Sequence, residues 1–178
     1  TASTTATYDS PVKLATNGFV LTGWTFIGWD VSGNATNPLF GNGATLTVSN
    51  ANFTSVDGGS FTLYAIWRAN TYKIVLAPNG GNLKDYAIAS GSNGLTLSET
   101  TFTATYDKTG KFAVSVQRTG YLFVTWLSSG SEGTAVASFT NDNETKNYIT
   151  VTETIYNLTS VDGATVTLTA SWEAIKYT

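Results

Sequence analysis

The chain has 178 residues, of which 42% are hydrophobic and only 12% are charged, about half the charged share of an average soluble domain. It contains no Cys, Met or His, which excludes disulfides, thiol nucleophiles, thiolate metal sites and imidazole bases or ligands. The net charge is −3 and the nine Lys and Arg residues are scattered, which argues against nucleic acid as a partner.

Apolar residues occur in short runs along the whole chain. Because no run reaches about 18 apolar residues, we expect no membrane insertion. Residues 1–5 have neither the basic nor the apolar region of a signal peptide. A chain of this length buries about 68–70% of its unfolded surface, so we expect one medium domain or two small ones with a real core.

Segments rich in β-branched and aromatic residues recur along the chain, and Gly, Asn and Asp separate them. In chain order, strands are predicted at residues 61–67, 72–76, 101–106 and 164–170. The sequence Pro-Asn-Gly-Gly at residues 78–81 predicts a hairpin turn after the second of them. Residues 149–158 are a candidate short helix, which their four Thr and Val residues disfavour. We therefore predict a mainly β fold.

An internal repeat determines the predicted organisation. Three blocks recur in the same order: residues 5–9 as residues 103–107, residues 23–29 as residues 120–126, and residues 54–67 as residues 159–172. The first block, Thr-Ala-Thr-Tyr-Asp, recurs letter for letter. The period of about 100 residues is too long for a solenoid, so we predict two tandem globular modules, each with its own core.

The two copies do not begin at the same point. The second copy carries about thirty residues ahead of its first shared block, including the predicted strand at residues 72–76, and the first copy has no counterpart of them. At the other end, residues 173–178 resemble residues 68–73, which lead into that strand. The predicted domains are residues 1–67, a module lacking its opening strand; residues 68–172, a complete module; and residues 173–178, the start of a further module.

The aromatic positions of the two copies form a motif. A Gly-Trp/Tyr-x-Phe-x-x-Trp sequence is followed about 35 to 45 residues later by Leu-x-Ala-x-Trp and then by a strand ending in Asn-Gly-Gly. The first copy supplies Gly23, Trp24, Phe26, Gly28, Trp29, Leu63, Tyr64, Ala65, Trp67, Asn79, Gly80 and Gly81. The second copy supplies Gly120, Tyr121, Phe123, Trp126, Leu168, Ala170 and Trp172, with Thr125 and Thr169 in place of the motif Gly and Tyr.

This motif resembles the Listeria/Bacteroides repeat, the internalin-B-type B repeat that occurs in tandem on bacterial surface proteins. The resemblance implies two β-grasp-like modules of about 100 residues, with at most one short helix each. It implies an extracellular, cell-surface location in a stalk, adhesin or filament, with neighbouring modules or identical subunits as partners. It implies no catalytic residues, and we expect no cofactor and no metal.

The five Trp residues are candidates for a glycan-binding surface, because exposed aromatic faces stack on sugar rings. Four of them fall into matched pairs, Trp29 with Trp126 and Trp67 with Trp172, which favours a role in the core. The remaining matched pair is Trp24 and Tyr121. These two are the candidate ligand-binding aromatics of the alternative function, an adhesion module that binds host or surface glycans or proteins.

The acidic residues show no spacing that singles out a catalytic pair, so we predict that the protein is not an enzyme. Asp9 with Asp107, and Asp57 with Asp162, recur at turn-like sites, where Asp commonly bonds the local backbone. The insertion at residues 141–144 has oxygen ligands that calcium would accept, but it lacks the spacing of a calcium loop, which favours a solvated loop.

Two covalent modifications stay open. Candidate N-glycosylation sequons lie at Asn34, Asn52, Asn143 and Asn157. They arise by chance in a chain rich in Thr and Asn, or they carry sugars that solubilise a surface poor in charge. An isopeptide bond from Lys73 or Lys111 is the second modification, because both residues lie in strand-like segments, although no acid partner is identified.

The low charge of the predicted strands favours assembly. Charged side chains normally discourage pairing at sheet edges, and this chain has few of them. The opening strand missing from the first module would come either from the preceding part of the same polypeptide or from another subunit, and the residues at 173–178 favour the first source. We therefore expect a structural repeat that assembles through β-strand edges or through packing of tandem modules.

Overall fold

A computed structural model of the protein describes residues 3–48, 53–130, 134–138 and 148–176, the segment 134–138 by its backbone alone. All regular structure in these ranges is β-strand, which confirms the predicted mainly β fold. The candidate helix at residues 149–158 is instead a strand over most of its length, as its β-branched content favours. None of the described residues forms a helix long and apolar enough to cross a membrane.

The chain divides into two compact units, an N-terminal unit (Thr1–Arg68) and a C-terminal unit (Ala69–Thr178). The strands of the N-terminal unit are β1 (Pro11–Lys13), β2 (Trp24–Asp30), β3 (Thr45–Thr47) and β4 (Tyr64–Ala69). Those of the C-terminal unit are β5 (Thr71–Ala77), β6 (Asn82–Ile88), β7 (Leu95–Ser98), β8 (Thr101–Thr105), β9 (Gly110–Gln117), β10 (Tyr121–Ser128), β11 (Thr134–Ser138), β12 (Ile149–Tyr156) and β13 (Thr165–Ala174).

The N-terminal unit contains two small sheets. β1 pairs with β3, and β2 pairs with β4. Isolated bridges join Tyr8 to Val48 and Trp29 to Phe40. Among its described residues the buried apolar side chains are Leu46, Val48 and Ile66, a small core for a unit of this length.

The C-terminal unit contains two larger sheets. The first has the order β10-β13-β5-β8-β7, and the second has the order β11-β12-β9-β6. The pair β13 and β5, at the centre of the first sheet, is parallel, and the neighbouring pairs β10 with β13 and β5 with β8 are antiparallel. β13 and β5 are therefore the only parallel pair among the described strands of the first sheet.

One hydrophobic cluster joins the two sheets of the C-terminal unit. Along β5 the side chains alternate, so that Tyr72, Ile74 and Leu76 are buried and face this cluster while Lys73 and Val75 are exposed. The rings of Phe102 on β8 and Phe112 on β9 lie 4.8 Å apart between their centroids and connect the two sheets. Burial of one face of each sheet is what holds this unit together.

The last described residues belong to the C-terminal unit. Glu173 and Ala174, which the repeat assigns to a further module, are the final residues of β13 and pair with Leu122 and Tyr121 of β10. The Ile175 N–H then donates a hydrogen bond to the Gly120 carbonyl oxygen at 3.1 Å.

Candidate functional site

An aromatic cluster closes one end of the core in the C-terminal unit. The rings of Phe123 and Trp126 on β10 lie 5.3 Å apart between centroids, and Phe123 meets Trp172 of β13 edge-on at 5.5 Å. Phe123 is 2% exposed and Trp126 is 4% exposed. The Trp172 indole N–H donates to the Pro78 carbonyl oxygen at 2.9 Å, so the turn after β5 also holds this cluster.

The N-terminal unit has a cluster of the same geometry. Phe26 and Trp29 of β2 lie 5.1 Å apart, and Phe26 meets Trp67 of β4 edge-on at 5.5 Å. All three rings, however, are only half-buried. The two matched Trp pairs therefore pack in clusters, and the N-terminal cluster is the less covered of the two.

Trp24, one of the two candidate ligand-binding aromatics, lines an open pocket of about 270 Å³ in the N-terminal unit. The other lining residues are Leu21, Gly33, Ala35, Ala65, Ile66 and Trp67. The lining is mainly apolar, which suits an aromatic or aliphatic surface more than a charged ligand.

Tyr121, the other candidate, has a covered ring. The Arg118 guanidinium lies over the Tyr121 ring, 3.8 Å from its centroid. The Arg118 Nη1 atom also donates to the Asn79 carbonyl oxygen at 3.2 Å, which holds the guanidinium in place. The matched aromatics thus have different surroundings, and the Tyr121 face that Arg118 covers is closed to a sugar ring.

The candidate glycosylation sites also differ. Asn34 is exposed. Asn157 is half-buried, and its side chain holds the turn at Asp107: its Oδ1 accepts from the Asp107 N–H at 2.7 Å and its Nδ2 donates to the Asp107 carboxylate at 2.8 Å. A sugar on Asn157 would replace one of the two hydrogens on the nitrogen that donates the second bond. Asn52, Asn143 and the candidate calcium loop at residues 141–144 lie outside the described residues.

The matched Asp residues lie at turns, as their sequence context predicts. Asp9 and Asp107 both adopt the left-handed backbone conformation, with φ of 55° and 57°. Asp162 accepts a hydrogen bond from the Thr71 N–H at 2.9 Å. The Asp162 carboxylate therefore bonds a distant backbone group, and the Asp107 carboxylate bonds the side chains of Asn157 and Tyr156. The described residues hold no group of three or more acidic side chains that could bind a metal ion.

Glu153 is a buried carboxyl that the sequence analysis did not single out. It lies on β12 between the buried Val151 and Ile155, opposite Phe112 of β9, and is 1% exposed. Neither carboxylate oxygen has a hydrogen-bond partner among the residues that the structure describes. Burial raises the pKa of Glu153 to about 7. Its place in a Val-x-Glu-x-Ile alternation is the sequence signal that could have identified it.

The first and last strands of the C-terminal unit lie side by side. β5 and β13 run parallel in five register pairs, from Lys73 with Thr165 to Ala77 with Thr169. At the start of β5, the Gly163 N–H donates to the Thr71 carbonyl oxygen at 2.7 Å, and the Lys73 N–H donates to the Ala164 carbonyl oxygen at 2.8 Å. The chain therefore enters and leaves this unit through neighbouring strands.

Comparison of the chain with protein-family models, curated proteins and solved structures finds no match.

Proposed function

We propose that the protein is a non-enzymatic structural repeat of an extracellular stalk, adhesin or filament on a bacterial surface, as its resemblance to the Listeria/Bacteroides repeat implies. The observation that carries this proposal is the parallel pairing of β5 and β13, the first and last strands of the C-terminal unit. Two matched aromatic clusters support the tandem organisation, because their centroid distances agree within 0.2 Å for the first ring pair, 5.1 Å against 5.3 Å.

Parallel terminal strands resist tension along the chain. A force on the polypeptide pulls β5 backward from its first residue and β13 forward from its last residue. Because the strands run in the same direction, this force slides one along the other and strains all their hydrogen bonds at once. Strands pulled apart from one end would instead lose their bonds one after another. Resistance to tension is what a stalk or filament module needs.

Single-molecule force unfolding tests this function. The chain has no Cys, so pairs of introduced cysteines give unique attachment points. Handles at Ala69→Cys and Lys176→Cys pull β5 against β13 in shear. Handles at Ala69→Cys, just before β5, and at the exposed Val161→Cys, shortly before β13, peel the same two strands apart from their first residues. We expect the C-terminal unit to unfold at a several-fold higher force in the shear geometry, because forced unfolding reports the barrier along the pulled direction.

The peeling pair is the matched control, because both variants keep the same fold and differ only in the direction of the force. Equal unfolding forces in the two geometries would contradict a mechanical role for the parallel pair.

The open pocket at Trp24 favours a second candidate function, binding of a neutral glycan by the N-terminal unit. Under this alternative, titration with cellotetraose or chitotetraose gives a saturable change in Trp fluorescence. Trp24→Ala abolishes the change, and Tyr121→Ala keeps it because that ring is covered by Arg118. An unchanged spectrum at millimolar oligosaccharide would rule this candidate out for both sugars.

A further inference from the structure

The N-terminal unit contains the two neighbours of an opening strand. In the C-terminal unit β5 lies between β13 and β8. The sequence repeat matches β13 with residues 60–69 and β8 with residues 3–7. In the described N-terminal unit, β4 pairs with β2, the match of β10, and the sheet has two strands.

In the N-terminal unit, the segments that would flank the opening strand are not strands. β13 is ten residues long, whereas β4 begins only at Tyr64. The part of β13 missing from β4 matches residues 60–63, and in β13 its counterpart, residues 165–168, pairs with β5. Residues 3–7 likewise have no strand structure, whereas their match β8 pairs with β5 over its whole length. The segments of the N-terminal unit that lack strand structure therefore match the segments of the C-terminal unit that pair with β5.

The burial of the side chains that would contact the opening strand also differs between the two units. Ala104 pairs with Tyr72 of β5 and is 2% exposed, and Leu168 pairs with Leu76 and is fully buried. Their matches in the N-terminal unit, Ala6 and Leu63, are only half-buried. The apolar side chains that match those covered by β5 are therefore partly exposed to solvent in the N-terminal unit.

The turn that anchors the start of β5 exists in both units. In the C-terminal unit, Thr159 Oγ1 accepts from the Val161 N–H at 3.2 Å, and Gly163 has φ of 73°. In the N-terminal unit, Thr54 Oγ1 accepts from the Val56 N–H at the same distance, and Gly58 has φ of 70°. The Asp that receives the Thr71 N–H, Asp162, also has its match, Asp57.

The open pocket lies beside Trp67, which matches the Trp that the turn after β5 covers in the C-terminal unit. In the C-terminal unit the turn after β5 packs on Trp172, through the Pro78 carbonyl oxygen and through Gly81, where an added Cβ would lie 2.4 Å from the indole. The matching residue of the N-terminal unit, Trp67, lines the pocket. The pocket and the uncovered core thus have one explanation.

We infer that the N-terminal unit is an acceptor for a β-strand with the residue pattern of β5, which inserts between residues 60–64 and residues 3–7 and runs parallel to β4. The occupant has apolar side chains at three alternate positions, as Tyr72, Ile74 and Leu76 have in β5. It is the opening strand that follows the last strand of a preceding module in the same polypeptide, because β5 follows β4 after the single residue Asn70. The inference rests on the proposed tandem array.

A fusion tests the inference. A copy of residues 69–98 is joined ahead of Thr1, which reproduces the spacing of the C-terminal unit. The control carries Ile74→Asn and Leu76→Asn in the copy alone. We expect the backbone amides of Ala6 and Leu63 to gain at least tenfold protection from hydrogen exchange in the fusion, and to lose that gain in the control.

A synthetic peptide of residues 70–77, added to the unaltered chain, gives the same readout without a new fold, and a scrambled peptide is its control. The protection of Ala6 and Leu63 should rise with the first peptide alone. No gain with either the fusion or the peptide would overturn the inference. Protection that already rises with concentration of the unaltered chain would assign the strand to a second copy and overturn the source in the same polypeptide.

These results separate the inference from the proposed function. The shear test reports on β5 and β13, which belong to the C-terminal unit alone. If the C-terminal unit resists shear but the fusion gains no protection from hydrogen exchange, the proposed structural function stands and the inferred acceptor site is wrong.

Discussion

Glu153 is the residue at which burial and chemistry conflict. Its carboxyl lies in the core of the C-terminal unit and has no hydrogen-bond partner within the described part of the chain, so the charged form is disfavoured there. The pKa of about 7 in the folded state lies above the ordinary value of 4.5. Well below pH 4.5 the carboxyl is neutral in both the folded and the unfolded chain, so its ionisation does not alter the free energy of unfolding there. As the pH rises to 7 the unfolded chain ionises first, and the folded state loses stability.

We expect Glu153→Gln to stabilise the C-terminal unit at pH 8 by up to about 3 kcal/mol, because the amide cannot ionise. At pH 4 the variant and the parent should have nearly equal free energies of unfolding. Urea unfolding at a series of pH values from 4 to 8 measures the difference.

Glu173→Gln is the matched control, because that side chain is exposed at the end of β13. It should leave the pH dependence of unfolding unchanged. If the unfolding free energy of Glu153→Gln followed the parent curve up to pH 8, Glu153 would ionise in the folded state with an ordinary pKa, which contradicts its burial without a described partner.

The sequence predicts the packing of the matched Trp residues better than it predicts the burial of Glu153. Trp29 and Trp126 occupy matched positions, and both lie in aromatic clusters. Glu153 was missed because residues 149–158 were a candidate helix and because Glu is almost never fully buried without a partner. The different surroundings of Trp24 and Tyr121 could not be predicted either, because Arg118 reaches the Tyr121 ring from the end of β9, a contact that no sequence pattern indicates.

At the scale of the elements, β5 is the central strand of the five-stranded sheet of the C-terminal unit. It pairs with β13 on one side and with β8 on the other, and it contributes three buried side chains to the core. The Lys73 N–H points toward β13, because it donates to Ala164. The N–H of Val75, two residues later, points to the same side.

We expect Val75→Pro to destabilise the C-terminal unit by about 1–3 kcal/mol, because it removes a donor from the β5–β13 ladder and leaves a buried acceptor unpaired. It should also lower the unfolding force in the shear geometry. Urea unfolding and force measurements on the same variant give the two values.

Val75→Ala keeps the N–H and shortens a side chain that is 38% exposed, so we expect a change below about 1 kcal/mol. Equal effects of the Pro and Ala substitutions would mean that this hydrogen bond does not support the pair.

The strands themselves could largely be predicted from the sequence. The segments predicted at residues 72–76, 101–106 and 164–170 correspond to β5, β8 and β13, because β-branched and aromatic residues alternate there. Their pairing could not be predicted. β5 and β13 are separated by about ninety residues, and local patterns carry no signal for which distant strands become neighbours or in which direction they run.

At the scale of the whole molecule, the two units differ in completeness. The C-terminal unit has two sheets with one core between them, whereas the N-terminal unit has two pairs of strands and a half-buried aromatic cluster. The sequence repeat links these differences to one strand, β5, which has a match in neither sequence nor structure among the described residues of the N-terminal unit. An acceptor for such a strand would make each module depend on the one before it.

We expect a unit that has its opening strand to resist tension and a unit that lacks it to unfold at low force. Force unfolding of the whole chain, held at its two ends, tests this expectation directly. We expect two steps: the N-terminal unit first, at low force, with a gain in length of about 24 nm for its 68 residues, and then the C-terminal unit at a several-fold higher force, with about 38 nm. A single step, or a C-terminal unit that unfolds at the lower force, would contradict it.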